Sequence, residues 1–274
     1  MEVGSFAHTD RSGRQFIDND LIQTLLALGG LPPQCAVDLR RNASYRVLDI
    51  ACLPMHAYTD DPTIETMPNP WLSIPLEDYE GHMGSAGVRQ LTALAELFKI
   101  ALHRCRPESV AVLGVAGGNG LEQIDCAATK RIVGVDINQR YLDEVRLRFG
   151  TLPGLELYCH DLAEQEFSLA PVMLVHAALI FEHVGLGLAL QNALSLVAPE
   201  GRFSVVLQLA SEEEQGVAPT SYTSMQALNQ DFVLIDINEF QRLLERQRFQ
   251  LVEQEKRSLP AGKALWLGVF ARRH

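Results

Sequence analysis

Cysteine is scarce and poorly placed for chemistry. The five residues, at 35, 52, 105, 126 and 159, are odd in number and form no CxxC pair or Cys/His cluster. That argues against a disulfide framework and against a structural zinc, and no metal site is expected. Positive charge is also short: Lys and Arg total 23 against 34 Asp and Glu, a net charge of −11 with a pI near 5.2. Nucleic acids and anionic membranes attract basic patches, so this balance points away from both as partners. Long apolar runs are missing too. The longest strongly apolar stretch, 170–181, contains Pro171 and His176 and falls short of the roughly 18–20 residues that span a bilayer. The opening MEVGSFAHTDRSGR has no apolar signal-peptide region, so the expected location is cytoplasmic. What remains, 47% hydrophobic and 21% charged over 274 residues, is the composition of a folded protein of one generous domain, or a domain plus a cap.

No repeat or low-complexity tract is visible. Residues 60–84, with Asp60-Asp61-Pro62 and Pro68-Asn69-Pro70, break any regular element. Before that break Asp20 can cap a short helix through Leu21, Leu25 and Leu28. After it, Val88, Leu91, Ala95, Phe98 and Leu102 recur at helical spacing. From Ser109 the chain alternates. Strands are expected at 109–115, 131–136, 155–159, 172–176 and 203–207, and helices at 120–128, after Asn138 and through Leu186–Val197. A helix beginning at Asn238 is followed by strands 250–256 and 264–271, and the connection between those two is too short for a crossover helix. The expected fold is α/β: a seven-stranded, doubly wound sheet with an antiparallel C-terminal hairpin. Residues 1–75 are read as a mainly helical N-terminal extension, serving as a cap or a dimerisation segment, and 76–274 as the Rossmann-like domain.

Three signals follow the first three strands in order. Gly114-Val115-Ala116-Gly117-Gly118-Asn119-Gly120 is a glycine-rich turn between a strand and an expected helix, where backbone N–H groups can approach a ligand closely. Asp136, 22 residues beyond Gly114, ends the second strand, where a carboxylate can accept from both ribose hydroxyls of a nucleoside. His160-Asp161-Leu162 follows the third strand, where a carboxylate can accept from an exocyclic amine.

This pattern resembles the first motif of class I S-adenosylmethionine-dependent methyltransferases, with Ala116, Gly118 and Gly120 at the glycine positions and Gly114 where an acidic residue is usual. The resemblance covers roughly 76–274. It implies S-adenosyl-L-methionine as cofactor, held by Gly114, Ala116, Gly118, Gly120, Asp136 with Ile137, and Asp161 with Leu162. Ala116 is expected to be tolerated if its φ is negative. Tyr79-Glu80-Gly81-His82-Met83 resembles a segment that lies over the cofactor pocket in a bacterial branch of that family. On that reading Tyr79 and His82 contact the cofactor or the acceptor; on the other they cap a helix beginning near Ser85. The end of the fourth strand implies that His176 touches cofactor or substrate. Glu182 and His183, on the following turn, are candidates for a general base together with His82, or His183 caps a helix and packs beneath the sheet.

The resemblance implies a methyltransferase acting on a small-molecule acceptor. A non-catalytic protein that keeps the fold and binds the cofactor is the alternative. A dinucleotide oxidoreductase would want G-x-G-x-x-G, and Gly118-Asn119-Gly120-Leu121-Glu122-Gln123 lacks the third glycine. A nucleic-acid methyltransferase would often carry an Asn/Asp-Pro-Pro-Tyr-type motif where this chain has His176-Ala177-Ala178-Leu179. Val47-Leu48-Asp49-Ile50-Ala51 imitates the first motif but continues into Cys52-Leu53-Pro54, and reads as a strand or core segment. Glu212-Glu213-Glu214 reads as a solvated loop, and His56, His103 and His274 as structural or exposed.

Overall fold

Strand interiors with apolar side chains on both faces pair into a buried parallel sheet, and the register of this chain shows that logic. The computed structural model describes residues 69–210 and 216–273, with a short ladder in which His8–Thr9 pairs antiparallel with Gln15–Phe16. The chain divides into two units, Met1–Thr66 and Met67–His274. The helix expected after Asp20 and the segment 47–51 lie outside the described residues. Residues 67–75, grouped with the extension on sequence grounds, fall in the second unit. Ile74 is buried there and its carbonyl accepts from the Tyr141 hydroxyl at 2.9 Å, while the Trp71 carbonyl accepts from Asn138 Nδ2 at 2.8 Å.

The second unit is built on β1 (Ser109–Leu113), β2 (Arg131–Asp136), β3 (Leu155–Cys159), β4 (Val172–Ala178), β5 (Val197–Leu209), β6 (Phe249–Ser258) and β7 (Ala264–Arg272). Their order across the sheet is β3-β2-β1-β4-β5-β7-β6. The first five are parallel and β7 is antiparallel to both neighbours; the β6–β7 pairing is the one the short C-terminal connection predicts. The helices are α1 (Leu76–Gly84), α2 (Gln90–Cys105), α3 (Gln139–Phe149), the single turn α4 (Phe181–Val184), α5 (Leu188–Ser195) and α6 (Ile237–Arg246).

Period two sorts side chains to the two faces. Ala111, Leu113, Val205 and Leu207 pack with Leu190 of α5 and Phe240 of α6. Val110 and Val112 face the opposite way, with Phe98 and Leu102 of α2 and Leu142 of α3. Val206, Leu265 and Leu267 continue that second face against Leu94 and Leu97 of α2. Asn138 caps α3 as expected, its side chain accepting from Arg140 N.

Three local expectations are corrected. No α-helix follows the glycine turn: 121–123 form one 3-10 turn, and Asp125 Oδ1 accepts from Ala127 N at 2.8 Å, a local bond that competes with helical pairing. Tyr79 and His82 lie within α1 and cap nothing; the helix expected near Ser85 starts at Gln90. α6 starts at Ile237, one residue before the expected Asn238, and Asp236 caps it, its carboxylate accepting from Glu239 N at 2.8 Å.

Candidate functional site

In a sheet of this order the connections leave β1 and β4 toward opposite sides, and a crevice opens at their carboxyl ends. There the chain has a largely apolar cleft with about 1210 Å³ of empty space, its open mouth included. Its floor comes from the ends of β1, β2, β4 and β5; its roof comes from residues 69–83 and from 216–232. The two roof segments are joined directly. Ser224 Oγ donates to Asp78 Oδ2 at 2.6 Å, His82 Nδ1 and Thr220 Oγ1 lie 2.9 Å apart, and Ile74, Met225 and Leu228 share an apolar cluster. Gly81 makes that junction feasible, because any Cβ there would run into the Tyr222 ring.

Of the residues expected to hold a nucleoside, Gly114, Ala116, Asp136, Ile137, Asp161 and Leu162 line the cleft. The Asp136 carboxylate is fixed by backbone: Oδ2 accepts from Ala116 N at 2.8 Å and Oδ1 from Asn138 N at 2.9 Å. Each carboxylate oxygen keeps further acceptor capacity for a ligand. Burial pushes its pKa up to about 6 against the pull of those N–H bonds. Ala116 has φ +46°, so the condition set for an alanine at this position, a negative φ, is not met; its N–H donates to Asp136 from this left-handed turn. Asp161 Oδ1 accepts from Ala163 N at 2.8 Å, which fixes it beyond β3.

Gly118 and Gly120 do not line the cleft. They leave room for packing: a Cβ at 118 would lie 2.6 Å from the Phe149 ring, and one at 120 would lie 3.0 Å from Phe98. His176 is also outside. It is on the α2 face of β4, its ring stacked on Phe98 at 4.5 Å and its Nδ1 3.0 Å from Ser204 Oγ. Burial lowers its pKa to about 3, and it is a neutral core histidine. Glu182 likewise misses the cleft. Its Oε1 accepts from Gln208 N at 2.8 Å, its Oε2 has no partner, and burial raises its pKa to about 7. It supports the end of β5 from beneath.

Tyr79, His82 and His183 do line the cleft. His183 sits edge-on between Trp71, at 5.0 Å, and Phe232, at 5.4 Å. Its Nδ1 is buried without a partner, and burial lowers its pKa to about 4. It is therefore a neutral imidazole near pH 7, suited to orienting a ligand and weak as a proton acceptor. Tyr79 is half-buried beside Trp71, at 5.8 Å, and its phenol stays protonated. Sequence reasoning missed Trp71, Gln90, Gln208, Phe232 and Lys263, which also line the space. Among the described residues, no group of His, Cys, Asp and Glu is arranged to hold a metal, and no helix is long and apolar enough to cross a membrane.

No family model and no curated protein matches the sequence. Solved structures do match. The N-methyltransferase NodS from Bradyrhizobium japonicum WM9, in complex with S-adenosyl-L-homocysteine, is 14% identical with a TM-score of 0.54, over 75% of this chain and 100% of that one. Magnesium protoporphyrin IX methyltransferase (ChlM) from Synechocystis PCC 6803, with bound S-adenosylmethionine, is 12% identical with a TM-score of 0.52, over 74% of this chain and 93% of that one. Sheet order, the antiparallel β7 and these similarities together give the chain the fold of class I S-adenosylmethionine-dependent methyltransferases.

Proposed function

We propose that the protein binds S-adenosylmethionine at the β1–β3 end of the cleft and methylates a small molecule held at the β4–β5 end. The observation that carries this reading is Asp136: a carboxylate at the end of β2, locked by two backbone N–H groups and opening on the cleft. The residues present fit the cofactor. Asp136 would take the ribose hydroxyls, Asp161 the adenine amine, and Ile137 and Leu162 the faces of the base. The bound cofactor supplies an electrophilic methyl group on a sulfonium. The chain then has to bind, align and exclude water. Trp71 and Tyr79 cover the cleft, and neutral His183 offers a hydrogen bond to the acceptor. With His176 and Glu182 outside the cleft and His183 a weak base, the reading assigns no strong general base and suits an acceptor that is already nucleophilic.

The test is titration calorimetry with S-adenosylmethionine, S-adenosylhomocysteine and NADH. Both sulfur nucleosides should bind and NADH should not. Asp136→Ala should cost about 2–3 kcal/mol of affinity by removing charge-assisted hydrogen bonds. An unchanged dissociation constant in that variant would place the nucleoside elsewhere. Gly114 at the usual acidic position favours a second reading, a cofactor-binding protein without turnover. Methyl transfer to any acceptor from a metabolite extract would exclude it.

A further inference from the structure

The β5–β7 end of the cleft contains a polar pair that the nucleoside does not use. Gln208 and Lys263 are both buried and both line the cleft. Gln208 lies opposite Leu265 across the β5–β7 ladder, and Lys263 immediately precedes β7, two residues before Leu265. Opposite and alternate residues share a face. Gln208 and Lys263 are therefore diagonal neighbours on the α2 face, where Val206, Leu265 and Leu267 are already packed.

The donors there are specific. Gln90, the first residue of α2, donates its Nε2 to Gln208 Oε1 at 3.2 Å, which fixes the Gln208 amide. Gln208 Nε2 is left buried with no partner. A buried amide donor without a partner has lost its water and gained nothing in return, and a ligand oxygen would supply the missing bond. Lys263 donates to the Gly216 carbonyl at 2.8 Å and brings a full positive charge to the same wall. It is the sole Lys or Arg lining the cleft among the described residues. Around the pair, Met83, Val88, Val217 and Leu228 are apolar. Besides Glu182, whose Oε1 accepts from Gln208 N at 2.8 Å from outside the cleft, the carboxylates that would repel an anion are Asp161, beyond β3, and Asp136, at the end of β2. From there to β5 is three strand spacings, roughly 14 Å.

Building on the methyltransferase reading, we propose that the acceptor is an apolar molecule bearing a carboxylate, and that Gln208 Nε2 and Lys263 Nζ bind that carboxylate. One ammonium and one amide donor match a monoanion; a phosphate dianion would meet too little positive charge. Gln208 and Lys263 are thus specificity residues for the acceptor, and the carboxylate is its anchor.

The experiment titrates benzoate and benzyl alcohol, of equal bulk and different charge, into the full chain saturated with S-adenosylhomocysteine. It is repeated with Gln208→Leu, Lys263→Met and Lys263→Arg, each first checked for its thermal transition and its S-adenosylhomocysteine affinity. Benzoate should bind at least tenfold tighter than benzyl alcohol. Gln208→Leu and Lys263→Met should each abolish that preference by weakening benzoate far more than benzyl alcohol, and Lys263→Arg should restore part of it. If Lys263→Met does not fold, Gln208→Leu and Lys263→Arg decide. A benzoate affinity no greater than that of benzyl alcohol, weak or undetectable binding of both included, overturns the proposal. So does a preference that survives Gln208→Leu. Failure of S-adenosylhomocysteine to bind the unmodified chain would instead overturn the cofactor reading, and that titration is run separately.

Discussion

At the β1–β3 end of the cleft the ligand-facing groups are held by backbone. Asp136 is clamped by the N–H groups of residues 116 and 138, and Asp161 by that of residue 163. At the β5–β7 end they are held by side chains from distant parts of the chain. Gln90 fixes Gln208 across 118 residues, and Asp78 holds Ser224 across 146. Glu182 supports β5 from below, and Trp71 and Phe232 flank His183. A backbone-built site is rigid and tolerates sequence change around it. A side-chain-built site can change what it binds through one substitution. The first suits a ligand that stays constant, the second a ligand that varies.

The largest test of this contrast lies in Glu182. Its folded pKa of about 7 is raised above the usual 4.5, so the stability this group contributes is present below pH 4.5 and lost as pH rises through 7. Glu182→Gln does not titrate. Relative to the unmodified chain it should gain up to about 3 kcal/mol between pH 4.5 and pH 8, read as denaturant midpoints at the two pH values. A pH-independent difference would mean that the β5 end rests on something else. Next is Gly81→Val, which should overpack the roof against Tyr222 and cost about 1–3 kcal/mol of stability. The same change should impair acceptor turnover more than S-adenosylhomocysteine affinity; equal losses would make the two ends a single cooperative unit.

A smaller effect is expected in nucleoside binding against pH. Asp136 accepts hydroxyls best when ionised and has a pKa of about 6. Affinity should be flat from pH 7 to 8 and fall by at most about tenfold per unit below 6. A profile flat to pH 4.5 would show that its charge is not used. The smallest is Arg148→Ala. Arg148 pairs with Glu80 and Glu144 at a half-exposed position, where such pairs contribute about 1 kcal/mol or less. A melting shift no larger than a few degrees is expected.

The same division explains what the sequence made legible. The seven strands, the antiparallel ending and the placing of Asp136 and Asp161 just beyond their strands follow from local signals: buried runs, turn residues and the spacing between them. His176 is misplaced by its depth along the strand. It shares the α2 face with Leu174 and stacks on Phe98, and that face reaches the cleft only two residues on, at Ala178. The missing helix after Gly120 came from Asp125, whose carboxylate turns the chain where apolar spacing alone suggested continuation. Gln208 had one available signal, an amide closing the apolar run from Phe203. Trp71, Phe232 and Lys263 had none, because their roles exist only once segments far apart in sequence meet.

The two bonds that tie Trp71 and Ile74 to α3 make one residue answer for several parts of the cleft. Asn138 caps α3 through its Oδ1, donates its backbone N–H to Asp136 and donates its Nδ2 to the Trp71 carbonyl. Floor and roof at this end therefore share a single side chain, and a change at that position would be felt by both together.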